Sequence, residues 1–216
     1  MPDYMQTVYP EIPLLERAVV VLASASPRRR ELLARLLPLS QFVVLAADID
    51  ESVRPDELPA AYVQRVAQEK AVRGVVLAKD FAQPDRPLLI LSADTSVVLG
   101  DKIFGKPGTP AKATQMLGEL SGRTHQVMTG VAINVVRPDG RITTEKLLCT
   151  TDVEMRSISP VEINWYVATG EPLDKAGAYA VQGFGGVLIA AVRGDYYNVV
   201  GLPLGPLVKL LRKIAL

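Results

Sequence analysis

Between residues 18 and 23 the chain reads Ala-Val-Val-Val-Leu-Ala, an apolar run with no polar break. A strand with one wet face alternates polar and apolar side chains, so a continuous run of β-branched residues belongs to a strand covered on both faces. Such a strand needs a sheet with helices on either side. Ser26-Pro27 follows at once. Serine is a good helix N-cap and proline suits the first helical turn, so a helix is predicted over 28–37.

The same alternation continues. Phe42 to Ala47 predicts a second strand, ending in the acidic segment Asp48-Ile49-Asp50-Glu51, and Pro59 starts a helix running to about Lys79. Leu88 to Ser92 predicts a strand that ends before Asp94-Thr95, and Ser96 to Leu99 a second apolar segment, with a hairpin at Gly100-Asp101. A helix is expected over Pro110 to Leu120, with Met116 in its apolar pattern. Gln126 to Val136 and Glu145 to Met155 read as an antiparallel hairpin across Asp139-Gly140. Ser159-Pro160 opens a helix to about Ala168 that holds Trp165 in a core pattern. A glycine-rich loop at Gly183 to Gly186, strands at Val187 to Val192 and Tyr196 to Val200, and an amphipathic helix from Pro203 complete the chain. Helices alternating with strands and hairpins predict an α/β fold with a mixed sheet, in two lobes around a central cleft. A length of 216 residues suits one such domain, residues 18–216, after a loosely ordered leader over 1–17.

Composition excludes several classes. With 24 Lys plus Arg against 23 Asp plus Glu, the net charge of +1 gives no basic field for a nucleic-acid backbone. One cysteine, Cys149, excludes an internal disulfide and a Cys-rich zinc site. The first 17 residues lack the basic start and apolar core of a signal peptide, and no apolar run is long enough to span a membrane. A cytoplasmic location is the expectation.

Four local features carry chemistry. Arg28, Arg29 and Arg30 stand in a first helical turn, where cations oppose the helix dipole; an anion bound among them would resolve the conflict, and so would solvation with pairing to Glu31. Asp94-Thr95 follows an apolar strand, where open α/β sheets place ligands at carboxyl ends. Asp94 there suits metal binding or proton acceptance, although strand-end aspartates also cap turns. Glu51, in the acidic loop, approaches Asp94 if their strands pair, and two carboxylates can hold a hydrated divalent cation. Lys70 lies on the inward stripe of its helix with Val63, Val66, Ala67, Ala71 and Gly74, which fits anion binding or a snorkelling stem equally.

Other features are set aside. Gly100 to Lys106 matches the first part of a nucleotide-binding P-loop, but Pro107 stands where the serine or threonine belongs and no helix begins there. Lys106 is instead a lysine at a hairpin base, reaching toward the cleft. His125 is the single histidine and starts a strand, so it is read as structural. With no convincing covalent nucleophile, metal-assisted attack by water is the economical chemistry.

Taken in order, the segments resemble the Maf family of septum-formation-inhibitor-like nucleoside triphosphate pyrophosphatases. They are Leu22-Ala-Ser-Ala-Ser-Pro-Arg-Arg29, the loop ending at Glu51, Glu69-Lys70-Ala71, Ala93-Asp94-Thr95, Gly105-Lys106-Pro107, Leu120-Ser-Gly-Arg-Thr-His-Gln-Val127, Glu171-Pro-Leu-Asp-Lys-Ala-Gly-Ala-Tyr179 and Val200-Gly-Leu-Pro-Leu204. The resemblance runs from about Val20 to Leu211. It implies a fold related to that of inosine triphosphate pyrophosphatases, and hydrolysis of a nucleoside triphosphate to its monophosphate and pyrophosphate with a divalent metal, Mg or Mn. It implies Asp94 as proton acceptor, and Ser24, Arg28, Arg29, Glu51, Lys70 and Lys106 as the polar cleft set. Glu51 and Asp94 are the two carboxylates that could hold that metal, with Asp94 either base or ligand, since a metal-bound carboxylate cannot freely do both jobs. A homodimer is the assembly it leads one to expect.

The resemblance also reaches the substrate. The subgroup acting on dTTP and UTP resembles Val181-Gln182-Gly183 here, whereas the subgroup acting on 7-methyl-GTP carries glutamate at that glutamine position. Arg28 and Thr95 match the other two specificity positions. The chemistry is sensible, because an amide offers a donor and an acceptor to the imide edge of thymine or uracil. The family's association with septum formation supplies the alternative, a nucleotide-binding regulator of cell division without important turnover.

Overall fold

A computed structural model describes residues 8–214, and among these a seven-stranded mixed sheet organises the chain. The apolar run forms β1 (Val19–Leu22), flanked by two parallel strands, β2 (Phe42–Val44) and β3 (Leu88–Leu99). Val20 lies opposite Phe42 on one side and Leu89 on the other, so the strand is interior, as its sequence requires. β4 (Lys102–Phe104) pairs with the far end of β3. β5 (Thr124–Val136), β6 (Ile142–Met155) and β7 (Ile189–Arg193) extend the sheet antiparallel, giving the order β2-β1-β3-β5-β6-β7.

The helices are α1 (Pro13–Arg17), α2 (Pro27–Leu33), α3 (Pro59–Leu77), α4 (Pro110–Leu120), α5 (Pro160–Ala168), α6 (Tyr196–Val200) and α7 (Leu204–Leu211). Two large cores form around the sheet. In the first, Val20, Leu22, Leu89, Leu91, Val131 and Ile133 pack with Leu32 and Leu33 of α2 and Leu207 and Leu211 of α7. In the second, Val97, Phe104, Val127 and Val153 pack with Leu117 of α4 and Tyr166 of α5. β3 and β5 run through both, so the fold is two-lobed with a shared spine. Ala93 belongs to the first core and Val97 to the second, which leaves Asp94 at the junction.

The opposite sheet face is covered by α3, which sits close for a physical reason. A Cβ on Gly130 of β5 would fall 2.6 Å from the Val63 carbonyl carbon and 2.8 Å from Gln64 N, both helix backbone. A Cβ on Gly74 would fall 2.6 Å from Ile90 Cγ2. Bare glycines on both surfaces let helix and sheet approach.

Four expectations change. β3 is one strand through Asp94-Thr95 rather than two, because β5 pairs with it without a break from Leu88 to Val98. On its other edge, β1 pairing ends at Leu91 and β4 pairing starts at Val97. Asp94 is therefore mid-strand, just beyond the carboxyl end of β1. Residues 196–200 are helical, because Asp195 Oδ1 accepts from Asn198 N at 2.9 Å and caps the turn. The leader is not loose throughout: Ile12, Leu14 and Leu15 are buried in the first core, and the part of it before residue 8 lies outside the described residues. Trp165 is not a core residue; it is half-exposed and meets the Phe184 ring edge-on at 6.1 Å.

Candidate active site

α3 is a long helix whose inward stripe carries Lys70, and the close glycine seat brings that lysine to the sheet. Lys70 Nζ donates to Asp94 Oδ1 at 2.8 Å and forms an ion pair with Glu51 Oε1 at 2.7 Å. The snorkelling alternative is thereby excluded, since the side chain is only 9% exposed and ends between two carboxylates. Glu51 and Asp94 do come together, but not through paired strands: β1 separates β2 from β3, and Lys70 is the link. Asp94 Oδ2 takes no hydrogen bond from any described residue and stays available to accept a proton.

The loop bearing Glu51 is held by groups that sequence reasoning missed. Tyr62 Oη donates to the Glu51 carbonyl at 2.9 Å, and burial beside Asp94 and Glu51 pushes this phenol up to about 12. Arg65 donates to Glu57 at 2.6 Å and to the Ser52 carbonyl at 2.9 Å. Glu57 is drawn down to about 2 by the Arg65 hydrogen bonds. Both residues lie on the turns of α3 before Lys70, so one helix supplies the lysine and anchors its partner.

The three arginines separate. Ser26 caps α2, its Oγ accepting from Arg29 N at 3.4 Å. Glu31 pairs with none of the three arginines. Arg30 is exposed and Arg28 is half-buried, with no side-chain partner among the described residues. Arg29 turns into the lobe junction, donating to the Gly201 carbonyl at 2.9 Å, to Ser24 Oγ at 3.3 Å and to Thr95 Oγ1 at 3.0 Å. No carboxylate among the described residues bonds to it. Burial lowers its affinity for the proton, opposed by the charges of Asp94 and Glu51. A buried guanidinium with only neutral partners is poised for an anion.

Thr95 is part of this support. Thr129 Oγ1 donates to the Asn198 carbonyl at 3.2 Å, which leaves Thr95 to donate to Thr129 at 2.9 Å and to accept from Arg29. Its hydroxyl is spent on orienting the guanidinium. Ser24 Oγ accepts from Ser26 N and Arg29, so its own proton is free for a ligand.

Gln182 and Lys106 complete the expected set, and both are exposed with no side-chain bond to a described residue. Val181, next to Gln182, packs on the first core, while Ala178 and Tyr179 belong to the second, so Gln182 is at the lobe junction. No described contact joins Lys106 to Asp94. The glycine-rich loop is not an open phosphate cradle, because Glu171 already accepts from Phe184 N at 3.0 Å and Gly185 N at 2.9 Å. His125 is buried with Nε2 2.7 Å from Tyr179 Oη, and desolvation lowers it to about 4. That buried contact with Tyr179 fits the structural reading of a strand histidine.

Among the described residues no three His, Cys, Asp or Glu side chains cluster to hold a metal. Glu51 and Asp94 nonetheless fit a hard cation such as Mg or Mn, which commonly takes one or two carboxylates and completes its shell with phosphate oxygens and water. Both oxygens already converge on one positive centre, Lys70 Nζ.

A profile of the Maf family, described as Maf-like protein, matches residues 19–214. This chain belongs to the Maf family. It is 50% identical to a dTTP/UTP pyrophosphatase of Myxococcus xanthus over 201 residues, covering 93% of this chain and 95% of that one. It is 51% identical to a dTTP/UTP pyrophosphatase of Moorella thermoacetica over 195 residues, covering 89% and 93% of the two chains. Among solved structures, a nucleoside-triphosphatase / dITP/XTP pyrophosphatase from Mycobacterium abscessus aligns at 16% identity and TM-score 0.38, over 89% of this chain and 96% of that one. That last similarity is too loose to bear on function. No helix among the described residues is long and apolar enough to cross a membrane.

Proposed function

We propose that this Maf-family chain hydrolyses dTTP and UTP, together with related modified pyrimidine nucleotides, to the nucleoside monophosphate and pyrophosphate. The observation that carries the reading is Lys70 held between Asp94 and Glu51, beside a buried Arg29 that has no carboxylate of its own. The relatives named dTTP/UTP pyrophosphatase, at about half identity over nearly the whole chain, support the substrate.

Water attacks the α-phosphorus, and Asp94 Oδ2 takes its proton as the new phosphorus–oxygen bond forms. The bond from the α-phosphorus to the bridging oxygen breaks, and pyrophosphate leaves with its electron pair. Arg29, held in place by Thr95 and Gly201, faces the phosphates with Arg28 and Ser24, and Lys106 takes the outer phosphates. Lys70 holds Asp94 in position. Glu51, and Asp94 only through the oxygen that does not take the proton, would hold the divalent cation, Mg or Mn, which when bound supplies Lewis-acid neutralisation of phosphate charge. Gln182 reads the imide edge of the base.

Asp94→Asn tests the assignment. Pyrophosphate release should fall by at least about a hundredfold while nucleotide binding changes little. Near-full turnover would remove Asp94 from the mechanism. A panel of dTTP, UTP, CTP, GTP and 7-methyl-GTP, with Mg, Mn or a chelator, tests substrate and metal together. A regulator that only binds nucleotide has no use for a buried Asp94 with a free oxygen; tight binding without turnover would establish that reading instead.

A further inference from the structure

Gln182 makes no bond to any described residue, yet the backbone on both sides of it is fixed by one pair of side chains. Tyr166, fully buried in α5, accepts a hydrogen bond from Ala180 N at 3.1 Å, two residues before Gln182. The same hydroxyl donates to Glu171 Oε1 at 2.8 Å. Glu171 then accepts from Phe184 N and Gly185 N, two and three residues after Gln182. Desolvation and the Glu171 bond push the Tyr166 phenol above its ordinary range, which keeps it a donor.

The approach is closer than side chains would allow. A Cβ on Gly183, which has φ +67°, would lie 3.1 Å from Glu171 Cδ and nearer still to Oε2. A Cβ on Gly185 would lie 2.6 Å from Tyr166 Oη. Glu171 is itself pinned: its N–H donates to Thr169 Oγ1 at 3.2 Å and its carbonyl accepts from Lys175 Nζ at 2.8 Å. A carboxylate closing a glycine loop onto a core tyrosine is a rigid mount, and the only polar side chain it leaves unbonded between its two anchors is Gln182.

We infer that Glu171, acting with Tyr166, is a positioning residue that aims Gln182 at the pyrimidine base and so sets base discrimination. This rests on the reading that Gln182 meets the base. A glutamine at 171 would turn an NH2 toward a backbone N–H, so one anchor of the loop is lost while the chain's chemistry at Asp94 is untouched.

The experiment measures dTTP and CTP hydrolysis by the full chain carrying Glu171→Gln, Tyr166→Phe, Gln182→Ala, or Glu171→Gln with Gln182→Ala. For Glu171→Gln and Tyr166→Phe, KM for dTTP should rise about tenfold, kcat should change far less, and the dTTP preference over CTP should fall by a similar factor. The double variant should be no worse than Gln182→Ala, because both act through one contact. A purely structural role would lower the melting temperature and scale both substrates equally, which overturns the inference. Tyr166→Phe keeps the ring and serves if Glu171→Gln does not fold. If Gln182→Ala shifts the preference and the two mount variants do not, the inference alone fails. If Gln182→Ala leaves the preference unchanged, the base is read elsewhere and the underlying reading fails with it.

Discussion

Gly130→Ala is a one-carbon change with a large expected effect. The added Cβ would meet Val63 C at 2.6 Å and Gln64 N at 2.8 Å, and neither atom can rotate away because both are backbone inside α3. Reaching ordinary contact means moving helix and strand apart by roughly 0.8 Å, and overpacking of this kind costs about 1–3 kcal/mol, here at the upper end. A loss of about 3 kcal/mol lowers the melting temperature of a chain this size by about 6–12 °C. Gly130 is the register partner of Asp94, so the displacement falls where Lys70 reaches across. A misplacement approaching 1 Å in a catalytic constellation costs on the order of a hundredfold in rate. Gly118→Ala is the control, because a Cβ there meets nothing within 4 Å on an exposed helical position. It should stabilise by about 0.5–1 kcal/mol through helix propensity alone. Thermal unfolding and pyrophosphate release from dTTP, measured on both variants, decide the matter. A Gly130→Ala protein that melts within a degree of the parent and keeps full turnover refutes the idea that close helix seating places Lys70.

Lys70→Met leaves Asp94 buried without its cation, and loss of one partner of a buried pair costs about 3–5 kcal/mol. Because Glu51 is 46% exposed and can turn to water, about 3 kcal/mol is expected, with partial recovery on adding Asp94→Asn; a loss under about 1 kcal/mol by calorimetry contradicts the pairing. His125 gives a pH dependence. The unfolded histidine binds its proton near pH 6.5 and the native one near 4, so the native state holds fewer protons between those values. Stability should therefore fall by about 2–3 kcal/mol as pH drops from about 6.5 to about 4, and a His125→Gln variant should show a flatter profile over that window. Gln182→Glu should lower dTTP and UTP turnover relative to 7-methyl-GTP; an unaltered ratio in the same panel places base reading elsewhere.

Where local chemistry decides structure, the sequence is explicit. The apolar run of β1 and the Ser26-Pro27 cap predict strand, turn and helix, and Asp139-Gly140 predicts the β5–β6 hairpin. The position of Lys70 on an inward helical face is equally readable. Its partner is not, because Asp94 is 24 residues away and arrives through strand order and two glycines. Tyr-Tyr-Asn-Val-Val at 196–200 has the composition of a strand. It becomes a helix because Asn198 Nδ2 donates to the Val127 carbonyl and to Thr151 Oγ1, bonds that exist only in the assembled lobe. Thr95 and Gln182 enter through resemblance to a family, which does not tell that Thr95 orients Arg29. The Gly183–Gly186 stretch signals a close approach, but nothing local names Glu171 as what approaches.

The sheet forks beside Asp94. β1 stops before it and β4 begins after it, so at that level the sheet passes from one lobe to the other only through its continuous strands. Any flexing of one lobe against the other must bend or twist those strands, and the fork is then the pivot. Displacement grows with distance from a pivot and vanishes on it. Asp94 and its Lys70 contact sit on that line. A twist of those strands would therefore leave the Asp94–Lys70 contact nearly still while the far ends of both lobes move.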